Sequence, residues 1–287
     1  MEINQINKEM KLGVSTYTWP WAVGIEGFNP KKELNVFDIL IKANELGVEV
    51  VQLADKPLLS EIDEKTLFEI KSIANKMGIS LEVGTRGVEE KNLLKYLDIA
   101  KKLNSKIVRT VIPSLDNNSL SSIKKIISQF RKEKVTIALE NHDEHSSDDL
   151  ISFIKKIDSN NLGICLDTMN SIASLESPKT TIQILGPYAV SLHIKDFEIF
   201  RMKHKLGFIV EGRPAGQGRL DIQWILDYFK RNGKCLNIIL EQWTPFSETI
   251  QKTIKKEEEW ALISIEYLKR IIGKGLISER KINDKQY

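Results

Sequence analysis

Four apolar runs in the second half of the chain each stop at a side chain able to bind a metal ion. Ile137-Ala-Leu ends at Glu140, Ile164-Cys-Leu at Asp167, Ser191-Leu at His193 and Ile239-Leu at Glu241. Taken singly, a strand-ending acid reads equally as a helix N-cap or an ion-pair partner. Taken together, three carboxylates and an imidazole at the mouth of one apolar scaffold repel unless a positive charge joins them, and a divalent cation removes that cost. The oxygen-rich mixture suits one Mn²⁺, Mg²⁺, Co²⁺ or Zn²⁺ ion better than a cysteine zinc site would. Glu140, Asp167, His193 and Glu241 are therefore the expected metal ligands.

Other residues stand close to these ends. His142 follows Glu140 by two and Lys195 follows His193 by two, so strand alternation could turn both inward, His142 to touch substrate or orient a ligand and Lys195 to neutralise a substrate oxygen. The alternatives are a loop or capping role for His142 and pairing with Asp196 for Lys195. Tyr17, Trp19 and Trp21 follow the first apolar run, Arg86 the third and Trp243 the last. Aromatic rings there would offer an apolar wall to the C–H face of a sugar, or would simply pack the loops. Arg109, in Ile107-Val-Arg-Thr-Val, is unusual inside a strand and could bind an anionic group.

The elements that must position these residues repeat. Short β-rich runs lie at residues 11–16, 48–53, 79–84, 106–111, 134–140, 161–166, 189–193 and 236–241, and from the third to the seventh their starts are 27 or 28 residues apart. Between them run helical stripes such as Phe37-Ile39-Leu40-Ala43-Leu46 and Leu67-Ile70-Ile73-Ala74-Met77, each followed by a glycine suited to a C-cap. Eight strand–helix units in series predict parallel strands closed into a single-domain (β/α)₈ TIM barrel over residues 11–272, with tails at 1–10 and 273–287. Ser15-Thr-Tyr-Thr-Trp-Pro-Trp, after the first strand, is not the glycine-rich phosphate turn that a doubly wound sheet would carry. Extra residues at 19–32 and 197–220 both follow strands, which marks them as walls or lids of a pocket.

Composition bounds the partners. In 287 residues, 41% hydrophobic and 28% charged, 42 basic side chains face 39 acidic ones, a net charge of +3 with the signs interleaved. That balance gives no broad electrostatic footprint for nucleic acid or anionic lipid. Cys165 and Cys235 lie in apolar runs and read as buried thiols rather than a disulfide. The first residues lack a secretory leader and no apolar run approaches the roughly 18 residues of a membrane span, so the expectation is a cytoplasmic protein with no membrane partner. A homodimer is left open.

With these residues in place, the chain resembles the xylose isomerase-like TIM-barrel superfamily of sugar phosphate isomerases and epimerases. The resemblance is carried most specifically by Ala138-Leu-Glu-Asn-His142, Cys165-Leu-Asp-Thr-Met-Asn170, Leu192-His-Ile-Lys-Asp196 and Leu240-Glu241. It implies the same four metal ligands and a metal-dependent isomerase or epimerase acting on a small sugar or sugar phosphate. Glu140 and Glu241 would be the acid and base that exchange a proton beside a carbonyl polarised by the ion. Arg213, in the glycine-rich segment Glu211-Gly-Arg-Pro-Ala-Gly-Gln-Gly, matches a substrate-covering arginine of epimerase relatives. Asn170 departs from the pattern, standing where many relatives carry a histidine, and would bind a hydroxyl without titrating. Alternatives are a dehydratase of a keto-sugar, polyol or 3-dehydroshikimate, with Lys195 or His142 as acid, and a catalytically silent metal-binding barrel. An endonuclease IV-like nuclease would need early histidines for three zinc ions, and the four histidines all lie at or beyond residue 142.

Overall fold

The computed structural model describes residues 10–234 and 236–273. Eight parallel strands close on one another: β1 (Lys11–Ser15), β2 (Val50–Leu53), β3 (Ser80–Arg86), β4 (Ile107–Val111), β5 (Thr136–Glu140), β6 (Leu162–Asp167), β7 (Ala189–Ile194) and, after a hairpin, β10 (Asn237–Leu240). Each pairs with its sequence neighbour, and β10 closes the ring between β7 and β1. The (β/α)₈ barrel read from the periodicity is the fold.

Outside the ring pack α2 (Val36–Glu45), α3 (Glu64–Lys76), α4 (Glu90–Leu103), α5 (Asn117–Glu133), α6 (Ser147–Lys155), α7 (Pro178–Leu185), α8 (Ile222–Arg231) and α9 (Ile250–Ile272), with the short α1 (Pro20–Val23) after β1. Their starts follow local chemistry. Asp116 caps α5 by accepting from Ser119 N at 2.8 Å, and Asn35 caps α2 through Phe37 N and Asp38 N. Their apolar faces bury side chains such as Ile39, Ile123 and Phe130 against the strands, each worth about 1.5–3 kcal/mol. Among the described residues no helix is long and apolar enough to cross a membrane.

Inside the barrel, small residues make room for large polar ones. Arg109 on β4 has Gly84 and Ala138 as its register partners on either side. A Cβ on Gly84 would lie 2.7 Å from Ala54 Cβ and 3.3 Å from Arg109 Cδ, so glycine leaves the volume that the arginine fills. The added segment after β7 is an antiparallel hairpin, β8 (Phe197–Arg201) and β9 (Phe208–Gly212), followed by the glycine-rich loop. Asp196 ties that loop down: its Oδ2 accepts from Gly216 N and Gly218 N, and its Oδ1 from Phe197 N and Leu220 N. The segment after β1 supplies α1 and a tight turn closed by the Ile25–Phe28 bridge. Cys165 is a free, buried thiol, as read; Cys235 and most of both proposed tails lie outside the described residues.

Helix α9 reaches back to this first loop through a buried acid. Glu257 accepts from Trp21 N at 2.9 Å and from Ala22 N at 3.1 Å. Burial outweighs these bonds and pushes its carboxyl up to about 8. A raised folded value means that the contribution of this group is fully present below the ordinary carboxylate range and is lost as pH rises through about 8. Thermal unfolding followed from pH 5 to pH 9 is expected to show a melting temperature that falls by several degrees in the wild type. In Glu257→Gln the fall is expected to be shallower, and equal slopes would remove Glu257 from the pH dependence.

Candidate active site

The strand ends converge at the C-terminal mouth of the barrel. The register places Asp167 opposite His193, and His193 opposite Ile239, two residues before Glu241. Glu140, Asp167, His193 and Glu241 are all buried. One ligand atom from each lies within 4.8 Å of the other three, so the four could hold a metal ion. His193 Nδ1 is the centre of the group, at 3.4 Å from Glu241 Oε1, 3.7 Å from Glu140 Oε2 and 3.9 Å from Asp167 Oδ2.

Asp167 and His193 are each held through one atom while the other is left without a hydrogen-bond partner. Asp167 Oδ1 closes the turn after β6, accepting from Met169 N at 2.7 Å and Asn170 N at 2.8 Å. Its Oδ2, 2.9 Å from Lys195 Nζ, has no aligned hydrogen bond, and His193 Nδ1 has no hydrogen-bond partner. The other ring nitrogen, His193 Nε2, lies 3.1 Å from Cys165 Sγ. Ser15 Oγ donates to Glu241 Oε1 at 3.0 Å. An orphaned ring nitrogen among three carboxylates fits a divalent cation, because such an ion would accept the nitrogen lone pair and neutralise the acids together.

Two buried cations already lean on the acids. Lys195 Nζ lies 2.9 Å from Asp167 Oδ2, 3.1 Å from Glu241 Oε2 and 4.9 Å from the centroid of the Trp243 ring. Burial disfavours its charge, but Asp167 and Glu241 outweigh that and hold the ammonium well above the ordinary lysine value. Arg109 Nε donates to Glu140 Oε2, and its Nη1 reaches Asp55 Oδ1 at 3.3 Å. Burial likewise opposes ionisation of Glu241, yet His193 and Lys195 hold it well below the usual carboxylate range. For His193, burial favours the neutral ring, while Cys165, Glu241 and Glu140 hold it well above the ordinary histidine value.

Of the other residues singled out in the sequence, Asn170 joins the cluster. Its Nδ2 donates to Glu140 Oε1 at 3.1 Å and to Asn141 O, and its Oδ1 accepts from Lys195 Nζ at 3.5 Å. Arg86 sits beside it in the next cavity, bonded to Asp55 and Tyr17. Three residues stand elsewhere. His142 turns outward to Asp143 and Glu144, because β5 ends at Glu140 and alternation ends with it. Asn141 is the buried residue there, accepting from Asp167 N at 2.7 Å and donating to Ser171 Oγ. Arg213 pairs with Glu211 and lies over the Phe200 ring. Trp19 is buried in the core with Lys42 over its ring.

Sequence reasoning passed over Ser15, Asn141 and Asp55. Ser15 ends its strand like the ligands do and alternation would have found it; Asp55 lies two residues past β2 at φ 58°, where no periodicity applies.

Titration with Mn²⁺ is expected to give one ion per chain and a higher melting temperature, since a ligand that binds only the folded state adds about 2.7 kcal/mol at 100 times its Kd. Asp167→Asn and His193→Ala are expected to weaken that binding at least about tenfold. Elemental analysis finding no ion, with no thermal shift on adding Mn²⁺, would refute a shared site.

Comparison with known proteins agrees with this architecture. The sequence profile of the family described as xylose isomerase-like TIM barrel matches residues 40–271. Over 264 residues the chain is 30% identical to 3-oxo-isoapionate decarboxylase of Pectobacterium atrosepticum, covering 90% of this chain and 95% of that protein. D-psicose 3-epimerase from Clostridium cellulolyticum, solved with D-tagatose, superposes with a TM-score of 0.68 at 18% identity, over 92% of this chain and 99% of its own. A xylose isomerase-like TIM barrel protein from Mycobacterium smegmatis, solved with magnesium, superposes with a TM-score of 0.64 at 14% identity, over 90% of this chain and 98% of its own. The likeness to these two structures is one of fold. The profile match and the shared barrel together place the chain in the xylose isomerase-like TIM barrel family.

Proposed function

We propose that the protein is a metal-dependent sugar-processing enzyme that removes CO₂ from a 3-oxo sugar acid, with Glu140, Asp167, His193 and Glu241 holding one divalent ion. The observation that carries this reading is the pair of buried cations, Arg109 and Lys195, packed on the three carboxylates. With His193 neutral, as it would be when bound to an ion, the two cations leave one net negative charge against the three acids, and the divalent ion would turn that into one net positive charge. A substrate bearing a single carboxylate closes that balance in a buried site, whereas a neutral ketose leaves it open. The name of the 30% identical relative, a decarboxylase of a 3-oxo acid, supports the same choice.

The chemistry needs one electron sink and one proton. When bound, the ion would polarise the ketone oxygen and favour flow of electrons towards it. As the bond between the α-carbon and the carboxylate breaks, its electron pair passes towards the ketone, CO₂ leaves, and an enolate remains. Lys195 Nζ, held by Asp167 and Glu241 against Trp243, is the group placed to give that carbon a proton. Solvent then restores the ammonium. Asn170 and Arg109 each bond one oxygen of Glu140, which fixes the position of a carboxylate that would also hold the ion.

Isomerase or epimerase action is the second reading. It is favoured by the approach of both Glu140 and Glu241 to His193 Nδ1, at 3.7 and 3.4 Å, two carboxylates that could serve proton removal and return at one carbon.

One experiment separates the two. The Mn²⁺-loaded protein is incubated in D₂O with 3-oxo pentonates and hexonates labelled with ¹³C at the carboxylate, and in parallel with unlabelled ketoses. Release of ¹³C-bicarbonate, one deuterium at the former α-carbon, and a loss of about 10²–10⁴ in rate for Lys195→Met are expected. Absence of ¹³C release, with deuterium entering the ketoses next to the carbonyl, would overturn decarboxylation in favour of the second reading.

A further inference from the structure

A cavity of about 350 Å³ opens beside the charge cluster, between the loop after β1, the loop after β2 and the end of β3. Its volume lies within the range of about 300–1,000 Å³ usual for small-molecule sites. Arg109 links it to the cluster through Asp55, a lining residue, with Nε on Glu140 and Nη1 on Asp55. A closed polar network lines the cavity: Tyr17 Oη donates to Asp55 Oδ2 at 2.5 Å, Arg86 Nε donates to the same oxygen at 2.9 Å, and Arg86 Nη2 donates to Tyr17 Oη at 3.3 Å. Apolar atoms of Pro20, Val23 and Ile25 complete the lining.

The charges of this cavity are balanced within it. Arg86 pairs with Asp55, Lys56 is offset in number by Glu26, and Arg109 bonds Glu140 and Asp55. A phosphate, carrying about −1.5 to −2 at neutral pH, would meet a lining whose formal charges sum to zero. Hydroxyl groups would meet a carboxylate acceptor, guanidinium donors and a phenol that can do both. Burial and the Asp55 charge push the Tyr17 phenol up to about 12, so it keeps its proton at neutral pH.

We propose that this cavity is the subsite for the part of the substrate beyond the reacting carbons, that Tyr17, Asp55 and Arg86 bind an uncharged hydroxylated tail there, and that phosphorylated substrates are excluded. This rests on the reading of the neighbouring cluster as the reacting centre. It answers a question of specificity that the ligands alone leave open, because the cluster would hold the same carbonyl and carboxylate whatever followed them. The apolar atoms opposite the network would carry the C–H faces of the tail.

Equilibrium binding to the Mn²⁺-loaded protein tests it without turnover. Calorimetric titration with glycolate, D-erythronate and D-erythronate 4-phosphate is expected to give erythronate at least about tenfold tighter than glycolate, with the phosphate ester weaker than erythronate. In Arg86→Ala and Tyr17→Phe the ratio of erythronate to glycolate affinity is expected to fall towards one, with the Mn²⁺ affinity reporting that each variant is folded and loaded. Equal affinities for glycolate and erythronate in the wild type, or tighter binding of the phosphate ester, would overturn the subsite while leaving the cluster reading intact. If none of the three acids binds the loaded wild type, the cluster reading fails and the subsite fails with it.

Discussion

Like charges buried side by side govern this molecule. At about 4 Å and an effective dielectric near 20, each pair of carboxylates repels by about 4 kcal/mol. Glu140, Asp167 and Glu241 gather at such distances around one imidazole, and every feature nearby answers that repulsion. Arg109 and Lys195 supply two positive charges, Ser15, Asn170 and two backbone N–H groups supply hydrogen bonds, and the four ligand-type residues together could hold a metal ion. The barrel is what makes the gathering possible. Its parallel register brings residues far apart in sequence to one level, and its small interior residues, Gly84 above all, clear the space in which Arg109 lies.

Neighbouring residues at the strand ends divide the labour by facing opposite ways. Lys195 enters the cluster, while Asp196 turns away from it and collects four backbone N–H groups of the hairpin and the glycine-rich loop. Glu140 faces the centre, and Asn141 bridges to the backbone of Asp167 on the next strand. The loops at the mouth are thus fastened to the same strand ends that carry the charged groups. A disturbance of either would be felt by the other.

The parts legible in the sequence were those governed by period. Eight strands, the ring of helices and the four ligand-type residues follow from alternation and from a repeat of 27 or 28 residues. Legibility fails where the chain leaves the strand. His142 was expected inward by counting two from Glu140, but β5 stops at Glu140 and the count no longer applies. The hairpin β8–β9 was visible only as added length, although Phe197-Glu-Ile and Ile209-Val-Glu carry a partial alternation. Arg109 reads in the sequence as a binder of an anionic group, whereas the anions it meets are Glu140 and Asp55 of the chain itself, contacts 31 and 54 residues away that no local pattern encodes.

Proton inventory narrows what such a cluster can do. Removing a proton from one face of a carbon and returning it on another needs two groups free to titrate. In this chain Asn170 stands as a neutral amide, and it joins Arg109 in occupying both oxygens of Glu140. Cys165 is buried against the far side of the His193 ring. Lys195 is different: its neighbours are two acids, an amide oxygen and an aromatic face, so its three protons are directed into the cluster and only partly committed. A proton carried by Lys195 is therefore shared between Asp167 and Glu241, and chemistry at this cluster must draw on that one ammonium or on the carboxylates it neutralises.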